Sequence, residues 1–138
     1  MSLRREDAPL AVYLFDLDDL KQINDALGHE EGDRRIMQFS AILRANTRRG
    51  DILARYGGDE FIVIMKQMGS EESVLKKGDN ICRAFQACYT TEQIQTACSA
   101  GIAIGDSVDS MQDMMAWADQ ALYRAKCNGK GGCCLWRE

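Results

Sequence analysis

Asp51-Ile52-Leu53-Ala54-Arg55-Tyr56-Gly57-Gly58-Asp59-Glu60-Phe61-Ile62-Val63-Ile64-Met65 holds two apolar strand-like runs joined through a Gly-Gly pair. Glycines there would supply the positive φ of a tight turn, so residues 51–66 read as a β-hairpin. Two adjacent carboxylates, Asp59 and Glu60, sit at its tip. Acids on a rigid turn commonly bind a hard cation through oxygen. Judged on the turn alone, a pair of solvated surface acids is the simpler alternative.

Upstream, Ala11-Val12-Tyr13-Leu14-Phe15 is a continuous apolar run, the pattern of a strand buried on both faces. Charge returns in Asp16-Leu17-Asp18-Asp19. Leu20, Ile23 and Leu27 then repeat at helical spacing, and Gly28 closes that short helix. A second helix over about residues 30–46 carries Ile36, Phe39, Ile42 and Leu43 on one face. Downstream of the hairpin, Ser70 with Glu71 and Glu72 opens a helix whose stripe is Val74, Ile81, Phe85 and Cys88. Residues 94–104 read as a strand. Ser110 caps a last helix, with Asp113 as its capping-box acid. That helix has the stripe Met114, Ala118, Ala121, Leu122 and Ala125 and ends near Lys126; Leu135-Trp136 follows as a short edge strand.

The order β-α-α-β-β-α-β-α-β predicts an α+β fold of ferredoxin-like or polymerase-palm-like type. It would have a mostly antiparallel sheet, a central hairpin and helices packed on one side. Met1-Ser2-Leu3 looks like a cloning scar, leaving residues 4–138 as a single domain. A net charge of −4 argues against a general nucleic-acid-binding surface. No apolar run approaches the roughly 20 residues that cross a bilayer. The six cysteines form no Cys-x-x-Cys pair. Cys82, Cys88 and Cys98 fall in apolar patterns as buried thiols do, and Cys127, Cys133 and Cys134 make a weak case for zinc. A reducing cytoplasmic setting is expected.

In such a sheet the first strand and the hairpin can be neighbours, bringing Asp16 to Asp59. Two carboxylates from distant sequence repel unless a cation neutralises them. An oxygen site with open positions suits Mg²⁺, which takes waters and substrate phosphates as its other ligands. Metal-assisted phosphoryl transfer on a nucleotide is the chemistry this pairing points to, beside the structural alternative.

Asp16-Leu17-Asp18-Asp19-Leu20-Lys21-Gln22-Ile23-Asn24-Asp25, then Gly28-His29, Gly32-Asp33 and the Arg55–Phe61 hairpin, resemble GGDEF-domain diguanylate cyclases. Ser99-x-Gly101 and Ala118-Asp119-x-Ala121-Leu122-Tyr123-x-Ala125-Lys126 extend the resemblance over about residues 10–131. It implies condensation of two GTP into cyclic di-GMP with release of pyrophosphate. By the same resemblance Asp16, the Leu17 carbonyl and Asp59 would hold Mg²⁺ or Mn²⁺, with Glu60 supporting. Asp59, or a hydroxide on the metal, would deprotonate the attacking ribose 3′-hydroxyl. Asn24 and Asp33 would recognise guanine, and Lys21, Lys126 and Lys130 would neutralise phosphates. Arg48 and Asp51 of Arg48-Arg49-Gly50-Asp51 would bind cyclic di-GMP as a product inhibitor. Catalysis would need a homodimer, with no nucleic acid and no direct membrane contact by this domain, though the parent could be membrane-tethered.

The chain also departs from the family pattern. Leu20 stands for a usual Phe, Ala100 for a bulkier aliphatic, and Lys130-Gly131 for Arg-Asn; Lys cannot make the bidentate phosphate contact of Arg. The family's long helix before the first strand is expected to be missing. A non-catalytic module sensing GTP or cyclic di-GMP is the alternative reading. A scaffold domain without nucleotide would leave the acid and lysine positions unexplained.

Overall fold

The computed structural model describes residues 9–66, 68–89, 94–106 and 109–137; Met1-Ser2-Leu3 lie outside them. Among these residues the elements follow the expected order. They are β1 Leu10–Asp18, α1 Leu20–Leu27, α2 His29–Ala45, β2 Ile52–Arg55, β3 Glu60–Met65, α3 Glu71–Ala87, β4 Ala97–Gly105, α4 Met111–Cys127 and β5 Cys133–Leu135. The strands form one sheet in the order β2-β3-β1-β4-β5. Every pairing is antiparallel except the parallel edge pair β4–β5. The fold is α+β.

Helices cover both faces of the sheet rather than one. Side chains alternate along a strand, so the unbroken apolar run of β1 feeds two cores. Ala11, Tyr13, Phe15 and Leu17 enter the larger core with Phe39 of α2 and Ile81 and Phe85 of α3. Leu10, Val12 and Leu14 pack with Met114, Ala118 and Leu122 of α4. A strand without a polar face needs cover on each side. Phe39 anchors the larger core, meeting Phe15, Phe61 and Phe85 edge-on at 5.5, 5.2 and 4.9 Å between ring centres.

Gly101 sets how close α4 lies. A Cβ at this position would sit 2.0 Å from the Ala118 carbonyl oxygen and 2.2 Å from the Leu122 nitrogen. The helix backbone therefore rests directly on β4. Ser70 caps α3 through a reciprocal pair with Ser73, and Ser110 accepts the Asp113 N–H at 3.0 Å.

Several expectations are corrected. Neither Gly57 nor Gly58 is among the described residues with positive φ. The hairpin loop is longer than a two-residue turn: the Tyr56 N–H closes it on the Glu60 carbonyl at 2.7 Å. The Arg55 guanidinium then clasps the Gly57 and Gly58 carbonyls. β1 runs on to Asp18 because Asp16 and Asp18 pair with Ser99 and Ala97 of β4. β4 starts at Ala97, and β5 is Cys133–Leu135, aligned with β4 from Ala100 to Ile102. Leu27 and Cys88 continue their apolar stripes by spacing but are exposed, because each lies at a helix end beyond its packed neighbours.

Candidate active site

The acids converge where β1 and the hairpin end together. Asp16 is in register with Glu60, and the Leu17 N–H donates to the Asp59 carbonyl at 2.9 Å. A strand residue's carbonyl points the same way as its own N–H, so the Leu17 carbonyl faces the hairpin tip. Asp16 is only 8% exposed. Its Oδ2 accepts a hydrogen bond from the Lys126 ammonium, delivered by the last turn of α4. Its Oδ1 is buried with no hydrogen-bond partner among the described residues.

Electrostatics at this point follow from crowding. Burial pushes Asp16 up to about 6, opposed by Lys126 and reinforced by Asp59 and Glu60. Burial and the charges of Asp59 and Asp119 raise Glu60. Burial works against the charge on Lys126, but the Asp16 contact and the surrounding carboxylates outweigh it and hold the ammonium above its usual range. The centre thus carries more acid than Lys126 can balance. An orphaned carboxylate oxygen, a second acid and a free-facing carbonyl form an all-oxygen donor set, which fits a hard divalent cation. Among the described residues no three acidic, Cys or His side chains gather tightly enough to hold an ion alone. The fit is to an ion that keeps most of its shell for water and phosphate.

Beside the centre lies a group that sequence reasoning missed. Asp18 is buried, and both its oxygens accept the Ser99 hydroxyl, at 3.0 and 2.8 Å. The Gly131 N–H reaches Asp18 at 3.2 Å and Ser99 at 3.1 Å. These bonds fasten the α4–β5 loop to the end of β1. Lys130, at φ 61, extends from that loop to Asp19 at 3.0 Å. The Asp16-x-Asp18 spacing was the available signal, since alternate strand residues share a face.

The crossing of α1 and α2 gathers a second set. Asn24 lies against Gly32, where a Cβ would fall 1.7 Å from the Asn24 Oδ1; that oxygen is buried and unpaired among the described residues. Asp33 is the next residue, exposed, and Lys21 is exposed on the first turn of α1. Arg48 and Asp51 are not brought to either group. They form a turn ahead of the edge strand β2, with the Arg48 N–H on Asp51 Oδ2 at 2.8 Å. Asp51 also lines a groove of about 600 Å³ with Arg44, Thr47 and Leu53.

Fold and site together define a domain in which an acidic hairpin closes onto the central strand of an α+β sheet. The family profile "Diguanylate cyclase, GGDEF domain" matches residues 1–132, and the chain belongs to that family. Diguanylate cyclase DosC of Escherichia coli K12 is 33% identical over 137 residues, covering 96% of this chain and 30% of that protein. The chain spans about a fifth to a third of the length of such curated relatives. The active GGEEF domain of a Vibrio cholerae diguanylate cyclase superposes with a TM-score of 0.84 at 28% identity, covering 94% of this chain and 84% of that one. A microbial GGDEF domain whose interaction with cyclic di-GMP has been described superposes with a TM-score of 0.79 at 29% identity, covering 96% and 82%. No described helix is long and apolar enough to cross a membrane.

Proposed function

We propose that the chain is the catalytic domain of a diguanylate cyclase that joins two GTP into cyclic di-GMP and releases pyrophosphate. One observation carries this: the buried, unpaired Oδ1 of Asp16 beside Asp59 and Glu60, at a centre short of positive charge. Mg²⁺, or Mn²⁺ in its place, would be held by Asp16, the Leu17 carbonyl and Asp59, and would withdraw charge from the α-phosphate. Asp59 accepts the proton of a ribose 3′-hydroxyl as that oxygen bonds to the α-phosphorus of the other GTP and pyrophosphate leaves; Glu60 supports the acid pair. Lys126 trades its bond to Asp16 for the triphosphate, joined by Lys21 and Lys130. Asn24 and Asp33 take the guanine, whose N1–H and amine suit a carboxylate acceptor and reject adenine. The open space over Gly58 lets the nucleotide approach the backbone closely.

Each active site supplies one nucleotide, so two copies must face each other. Arg48 and Asp51, with the groove beside them, form a separate product-binding site. A second reading, nucleotide sensing without turnover, draws on the loop after α4: Lys130 is already paired with Asp19 and the Gly131 N–H with Asp18.

Incubation with GTP and Mg²⁺ over a range of protein concentrations tests the proposal. Pyrophosphate and cyclic di-GMP should rise faster than linearly with protein. Tight cyclic di-GMP binding with no pyrophosphate, even from copies joined by a dimerising coiled coil, would sink the cyclase in favour of the sensor.

A further inference from the structure

Three thiols from three elements meet beneath the sheet's far edge. Cys82 of α3 lies with its sulfur 3.3 Å from that of Cys98 on β4 and 3.9 Å from that of Cys133 on β5. Space for this is made by Gly78, one turn before Cys82, where a Cβ would fall 2.7 Å from the Cys133 sulfur. The three thiols differ in access. Cys98 is fully buried and Cys82 is 2% exposed, whereas Cys133 is half-buried. Cys133 also stands two residues after Gly131, whose N–H ties the α4–β5 loop to Asp18 and Ser99.

We propose that Cys82 and Cys133 form a reversible disulfide under peroxide, and that this bond pins β5 and the Lys130 loop to α3. The Cys133 thiolate attacks a peroxide oxygen; the S–O bond forms, the O–O bond breaks and hydroxide leaves. The Cys82 sulfur then attacks the Cys133 sulfur. The S–S bond forms, the S–O bond breaks, and the departing hydroxide takes the Cys82 proton as water. Two thiols are oxidised and one peroxide is reduced to two waters. Cys133 reacts first because it is the least buried of the three, and Cys82 resolves it because its sulfur lies within 3.9 Å.

Contact with Cys82, burial and the nearby Asp79 push the Cys133 thiol above its usual range. Its thiolate is therefore the minor form at neutral pH, and the reaction with peroxide quickens as pH rises. Exposed Cys88 and Cys127 give surface thiols for comparison in the same sample.

The test treats the intact chain with hydrogen peroxide, maps disulfides by mass spectrometry of unreduced peptides, and follows backbone hydrogen exchange over residues 129–135. The expected result is a Cys82–Cys133 link within single chains, independent of protein concentration, retained in Cys98→Ser and absent in Cys133→Ser. Exchange at the Gly131 amide should slow severalfold and recover on adding dithiothreitol. A Cys82–Cys98 link, links only between chains, or a free Cys133 thiol after Cys88 is oxidised would overturn the proposal. So would the expected link with Gly131 exchange unchanged.

Discussion

Asp16 is a carboxylate kept in a place that disfavours its charge. Its folded pKa, about 6, lies above the ordinary aspartate value of 3.8. The stability it contributes is therefore complete below pH 3.8 and lost as pH rises through about 6, on the order of 2–3 kcal/mol at neutral pH. Without divalent cation, the urea midpoint should fall between pH 4 and 7, and Asp16→Asn should flatten that fall. Mg²⁺ should restore the midpoint at pH 7 in the unaltered chain and leave Asp16→Asn unmoved; equal slopes in both would rule out Asp16 as the source. Gly32 poses a different constraint, because any side chain there collides with Asn24. Gly32→Ala should displace the Asn24 amide and raise the KM for GTP more than it lowers kcat, with little change in the urea midpoint because alanine favours the helix. A KM unchanged from the parent would remove Asn24 from the proposed guanine site.

At the scale of elements, α4 delivers Lys126 to Asp16 only because Gly101 lets its backbone rest on β4. Gly101→Val should push the helix away and destabilise by about 3 kcal/mol or more, read from denaturant unfolding. Ser70→Ala should cost about 1 kcal/mol by leaving the α3 N-terminus uncapped. Much of this layer was legible in the sequence. The α4 stripe Met114, Ala118, Ala121, Leu122, Ala125 is buried throughout, and each strand was anticipated within a few residues. Local pattern failed where the deciding contact was remote. Asp18 reads as one acid among several until Ser99, 81 residues away, donates to it. Likewise Cys88 keeps helical spacing after its neighbours have ended, and the hairpin glycines follow a loop held by Arg55.

Over the whole molecule, the strand order separates two groups of candidate residues. The acid centre lies at the end of the central strand, whereas Arg48 and Asp51 precede the edge strand β2. Asp59→Asn should therefore abolish pyrophosphate release while cyclic di-GMP binding, measured by calorimetry, stays within a few-fold. Loss of both would show that the groups are not independent. The same order constrains the birth of the protein. β1 leads the described chain but pairs with residues 60–65 and 97–105, so its neighbours emerge from the ribosome long after it does. Until then Ala11-Val12-Tyr13-Leu14-Phe15 has no lasting cover, and α2, closed by local bonds, can form first. Pulsed hydrogen exchange during refolding should protect α2 amides before those of β1. In a cell, the interval before β4 is translated is when this chain most needs a chaperone.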